Sequence, residues 1–74
     1  MEVEIRLFAT LRQGRFHKQK LDLTEGITVG EVLKRLGIQS QEVAILLVNG
    51  RDVTEYGTLR PGDVMALFPP VAGG

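Results

Sequence analysis

The chain closes with Pro69-Pro70-Val71-Ala72-Gly73-Gly74, and the group with the most distinctive chemistry is the carboxylate of that last glycine. Gly73 and Gly74 carry no side chains, so the backbone there enters spaces that any Cβ would block. Pro69 and Pro70 end the preceding apolar run, because proline lacks the N–H that a sheet ladder requires. Six extended residues reach roughly 20 Å, enough to enter another protein's pocket. A free α-carboxylate has a pKa of about 3.5 and is ionised at neutral pH. It is a poor electrophile and must be activated before anything attacks it. No other residue type offers an obvious alternative. The chain has no cysteine, which removes thiolate nucleophiles, disulfides and thiolate zinc sites. His17 has no second ligand-like residue near it in sequence. With no nucleophile–base pair, carboxylate dyad or metal cluster in view, we expect neither a standalone enzyme nor a bound metal or cofactor.

Seventy-four residues make one small domain, near the lower limit for an independent hydrophobic core. Nine basic and nine acidic residues balance, so no nucleic-acid or anionic-membrane surface is expected. No apolar stretch is long enough to span a bilayer, and the N-terminus lacks a signal-peptide core. The expected location is the cytoplasm.

The elements that must position the tail follow from patterning. Residues 1–8 alternate, with Val3, Ile5 and Leu7 on one face and Glu2, Glu4 and Arg6 on the other; Phe8 falls on the polar face. A second strand over 16–23 pairs with the first as a hairpin. The cations Arg12, Arg15, His17, Lys18 and Lys20 read as the solvated end of that hairpin. Thr28 with Glu31 forms a capping box and opens a helix. Val29, Val32, Leu33 and Leu36 form its buried stripe, and Gly37 closes it. Gly30 in the first turn has no evident reason at this level. Residues 44–48 are continuously apolar, as in an inner strand with both faces covered or in contact. Asn49-Gly50 is a tight hairpin turn into a short edge strand at 51–53. Residues 54–63 are irregular, with Leu59 as their apolar anchor, and a last strand spans 64–68. One helix on one face of a mixed sheet of four to five strands gives an α+β domain. The predicted arrangement is the β-grasp, or ubiquitin-like, roll over residues 1–68, with 69–74 as a flexible tail.

Two segments carry a family resemblance. Leu7-Phe8-Ala9-Thr10-Leu11-Arg12 and Ala66-Leu67-Phe68-Pro69-Pro70-Val71-Ala72-Gly73-Gly74 resemble the MoaD family, the small sulfur-carrying subunit of molybdopterin synthase. Val48-Asn49-Gly50-Arg51 and Leu59-Arg60-Pro61-Gly62-Asp63 are similar to the wider MoaD/ThiS superfamily. Two positions depart from the pattern: Ala72 stands where Ser or Thr is common, and Leu67 where Phe is frequent. The resemblance implies that a ubiquitin-activating-type adenylating enzyme (MoeB/ThiF-like) uses ATP to activate Gly74. It implies that sulfur then replaces AMP as a thiocarboxylate, and that a large synthase subunit (MoaE-like) receives the tail. Alternatives are a ThiS-type carrier for thiamin or another sulfur-transfer pathway, a ubiquitin-like protein modifier, and a binding module with an inert tail.

Strand parity suggests where partners dock. With Met65 and Leu67 facing the helix, Ala66 and Phe68 face outward. Taking Ala44, Leu46 and Val48 as inward leaves Leu47 outward. Phe8, Leu47, Ala66 and Phe68 then form an apolar patch beside the tail, with Arg12 as a rim charge; on the carrier reading Val71 and Ala72 line the tail's path, and Pro69 and Pro70 stiffen its exit. Gly74→Val is expected to fold normally and to lose sulfur loading, read by intact mass; normal loading would defeat the threading argument.

Overall fold

The computed structural model describes residues 1–70. Five strands form one sheet: β1 (Glu2–Leu7), β2 (Lys18–Asp22), β3 (Ile45–Val48), β4 (Arg51–Asp52) and β5 (Val64–Phe68). Their spatial order is β2-β1-β5-β3-β4. Only β1 and β5 run parallel; the other pairs are antiparallel. Among the described residues one helix, α1 (Val29–Leu36), accompanies two short 3-10 turns at Ala9–Arg12 and Ser40–Glu42. This is the β-grasp roll.

The core lies between α1 and one face of the sheet. Val3, Ile5, Leu7, Met65 and Leu67 are fully buried from the sheet, and Val29 and Val32 from the helix, with Leu33 buried beside them. Leu11, Leu23, Ile38 and Leu59 close its margins. Each such side chain contributes about 2 kcal/mol on leaving water. The helix begins as its sequence predicts, with Thr28 Oγ1 accepting from Glu31 N at 3.2 Å and Thr28 N donating to Glu31 Oε1 at 3.3 Å. It ends at Gly37, whose φ of 72° is the left-handed closing conformation.

Two expectations are corrected. The strand at 44–48 is not covered on both faces. Ala44 is exposed and precedes β3, donating its N–H to Phe68 O at 2.8 Å, level with the end of β5 rather than with the core. Ile45 is 46% exposed, because the lone helix covers only the opposite face. Nor are Arg12 and Arg15 a solvated hairpin end. Arg15 Nε and Nη2 donate to Leu36 O and Gly37 O at 3.2 and 3.1 Å, while Nη1 reaches Leu11 O at 3.2 Å. A cation therefore caps the negative end of α1 and ties it to the turn after β1.

The β3–β4 turn is locked to the approach to β5. Asn49 and Gly50 both have positive φ, 53° and 79°, matching the two-residue hairpin. Asn49 Nδ2 donates to Asp63 Oδ1, and Asn49 Oδ1 accepts from Val64 N, both at 2.9 Å. Asp63 Oδ2 accepts from Arg60 N at 2.9 Å.

The reason for Gly30 is also visible. Its N–H donates to Glu55 O at 2.8 Å, and a Cβ there would lie 3.1 Å from the same oxygen. The 54–57 loop thus rests directly on the first helical turn. Gly30→Val is expected to lower stability by about 2 kcal/mol through overpacking, measured by urea denaturation; an unchanged midpoint would mean the loop moves aside freely.

Candidate functional site

Across the sheet from α1 lies a half-exposed apolar face. The register puts Ile45 opposite Phe68 and Leu47 opposite Ala66, while Leu46 and Val48 pair with the buried Leu67 and Met65. Leu47 and Ala66 therefore share the outer face with Phe68. Ile45 joins them and was missed by the sequence reading. Its signal was present, since it sits two residues before Leu47 on the same parity.

Phe8 is held just past β1 in extended conformation, φ −124° and ψ 152°, by its N–H donating to Leu67 O at 3.1 Å. Its ring stacks on Phe68 with centroids 4.3 Å apart and planes 9° from parallel. Such a pair adds about 1 kcal/mol beyond its area. Arg12 covers the stack, its guanidinium carbon 5.2 Å from the centre of the Phe8 ring, and Arg12 Nε donates to Leu7 O at 2.7 Å. That backbone bond fixes the cation over the ring.

Ala9 makes the arrangement possible. With φ of 52°, it turns the chain immediately after Phe8, so that Leu11 enters the core and Arg12 folds back. A left-handed alanine costs about 1–2 kcal/mol, a strain stored beside the aromatic pair.

The chain runs on from β5 into Pro69 and Pro70 at the end of the sheet. Pro69 is half-buried and Pro70 exposed. Both border a cleft of about 400 Å³ lined also by Thr10, Leu11, Gln13, Arg15, Gln41 and Glu42. Val71, Ala72, Gly73 and Gly74 lie outside the described residues. The structure thus brings Phe8, Arg12, Leu47, Ala66 and Phe68 onto one side of the sheet, with Pro69 at its end. Among the described residues no group of three or more His, Cys, Asp or Glu is arranged to hold a metal ion, and no helix is long and apolar enough to cross a membrane.

Residues 5–74 match the ThiS family. The chain belongs to the ThiS family. This ThiS-family chain is 34% identical to small archaeal modifier protein 3 of Haloferax volcanii, over 94 aligned positions covering all of both chains. A Pyrococcus furiosus structure described as molybdopterin converting factor, subunit 1, superposes with a TM-score of 0.76 at 28% identity, covering 96% of this chain and 99% of that one. The complex of subunits 1 and 2 of molybdopterin-converting factor from Helicobacter pylori contains a chain similar in fold, with a TM-score of 0.66 at 23% identity and full coverage of both.

Phe68→Ala removes the centre of the apolar face. We expect it to weaken binding to a protein that docks on this face, tested with a ubiquitin-activating-type adenylating enzyme, by about 2 kcal/mol, roughly 30-fold in Kd, by calorimetry on the folded variant. Unchanged affinity would show that partners dock elsewhere.

Proposed function

We propose that this ThiS-family protein is a sulfur carrier whose terminal Gly74 is activated and thiolated by partners, most specifically as the small subunit of a molybdopterin synthase. The observation that carries the reading is the Phe8–Phe68 stack at the end of β5, the strand that leads directly into Pro69-Pro70-Val71-Ala72-Gly73-Gly74. An apolar face at the end of β5, followed in sequence by the side-chain-free Gly73-Gly74, suits a protein that docks by its sheet while its last residues enter a partner's active site.

In the proposed sequence a ubiquitin-activating-type enzyme (MoeB/ThiF-like) binds ATP, and the Gly74 carboxylate attacks its α-phosphorus, releasing pyrophosphate. The acyl adenylate is then attacked by the terminal sulfur of a persulfide, and AMP leaves. A further thiol cleaves the resulting acyl disulfide and frees the thiocarboxylate. The partner supplies ATP and sulfur in the cytoplasm, and this chain supplies the carboxylate. Gly73 and Gly74 let the main chain thread the channel; Pro69 and Pro70 stiffen its exit and reduce the entropy lost on insertion. The Helicobacter pylori complex supports a MoaE-like subunit as the receiving partner.

A second reading, a ubiquitin-like modifier of lysines, draws support from the 34% identity to a small archaeal modifier protein. It shares the activated terminus but ends in an amide rather than a sulfur donor.

Intact mass of the protein recovered from cells containing the adenylating enzyme and a sulfur donor separates the two. The carrier reading expects one oxygen replaced by sulfur at Gly74. Lysine-linked adducts without any thiocarboxylate would replace it with the modifier reading.

A further inference from the structure

One row of side chains crosses the whole outer face. Arg6 lies opposite Lys18 and beside Ala66, Ala66 opposite Leu47, and Leu47 opposite Asp52. The row therefore reads Lys18, Arg6, Ala66, Leu47, Asp52, from two cations through two apolar residues to one carboxylate. One step along the strands lies the row of Phe8, Phe68 and Ile45, from which the chain continues to Pro69.

The cationic end is not arranged for stability. Arg6 and Lys18 are direct cross-strand neighbours of like charge, a pairing that weakens a sheet. Arg6 finds some compensation in Glu4, whose carboxyl is held below its ordinary range by the hydrogen bond from Arg6, with Lys18 and Lys20 adding to the effect. Lys18 itself has no ion-pair partner among the described residues. At the other end Asp52 is exposed, and no described cation lies within ion-pair distance. Its neighbour Arg51 pairs with Val48 on the helix side.

We propose that this polarity orients the docking protein. The partner it fits presents acidic groups over Lys18 and Arg6, an apolar centre over Ala66 and Leu47, and a basic group over Asp52. An apolar sheet face by itself admits several rotations of a partner, but only one sends the tail into the partner's site. A reversed approach sets like charges against each other and is rejected. Four strand spacings separate the ends by about 19 Å, more than twice the screening length of about 8 Å at physiological salt. Each end therefore acts on the partner group facing it without cancelling the other. The inference rests on the proposed activation of the tail by a partner.

The test uses the full-length chain and the ubiquitin-activating-type adenylating enzyme of the same organism, with ATP. Lys18→Asp, Asp52→Lys and the double exchange are compared with the wild type and with Phe68→Ala. The double exchange keeps the net charge; because Arg6 stays, the row changes from two cations facing one carboxylate to a charge-balanced end facing one cation. Each charge variant is expected to associate about tenfold more slowly at low salt, the difference vanishing near 1 M salt, where screening acts within about 3 Å. Lys18→Asp exchanges a like pair for an opposite pair, so its melting temperature rises by about 2–4 °C while its association slows. That combination is foreign to a merely structural role. The inference is overturned if the double exchange associates at the wild-type rate at every salt concentration while Phe68→Ala alone loses binding; the docking face and the carrier reading then both stand. A wild-type chain that is never adenylated overturns the carrier reading, and the inference falls with it.

Discussion

The parallel pairing of β5 with β1 is the interaction on which the rest of the molecule depends. Parallel neighbours cannot be joined by a tight turn, and here everything from the first 3-10 turn to Asp63 serves as their connection. In this register Met65 and Leu67 meet the helix while Ala66 and Phe68 face away. A slip by one residue would bury Phe68 and expose Leu67, and the aromatic stack beside the tail would vanish. The Asn49–Asp63–Val64 bracket pins the start of β5 against such a slip.

The two faces of the sheet are built under different rules. On the helix side the residues obey packing alone, and Arg15 serves that side by closing the helix. On the outer side apolar residues stay half-exposed, Ala9 holds an unfavourable backbone conformation, and two cations stand opposed. Each of these features costs stability in the isolated domain. They cluster on the side where the tail begins, which is where the proposed docking protein would repay them.

Most of the architecture was legible because it rests on local codes. Thr28 with Glu31, Gly37, and Asn49-Gly50 each specify a backbone conformation through their own chemistry, and the alternation of Val3, Ile5 and Leu7 specifies a face. The outer patch followed from the same parity. What escaped depended on contacts distant in sequence. Gly30 is explained by the Glu55 carbonyl and Arg15 by Leu36 and Gly37, neither of which its own neighbourhood reveals. The run 44–48 misled because an apolar strand left exposed on one face has the same composition as one buried on both. The polarity of the Lys18-to-Asp52 row needed the pairing of all five strands. The chemistry assigned to Gly74 rests on sequence and kinship, since the described residues end at Pro70.

The central position of β5 also constrains when the domain forms. Chains emerge from the ribosome N-terminus first, and the strand at the middle of this sheet is the last of the five to appear. Until Phe68 is out, β1–β2 and β3–β4 are separate hairpins with no shared ladder, each marginal by itself. The sheet therefore closes in a single late event, and no translation intermediate short of β5 displays the assembled outer face.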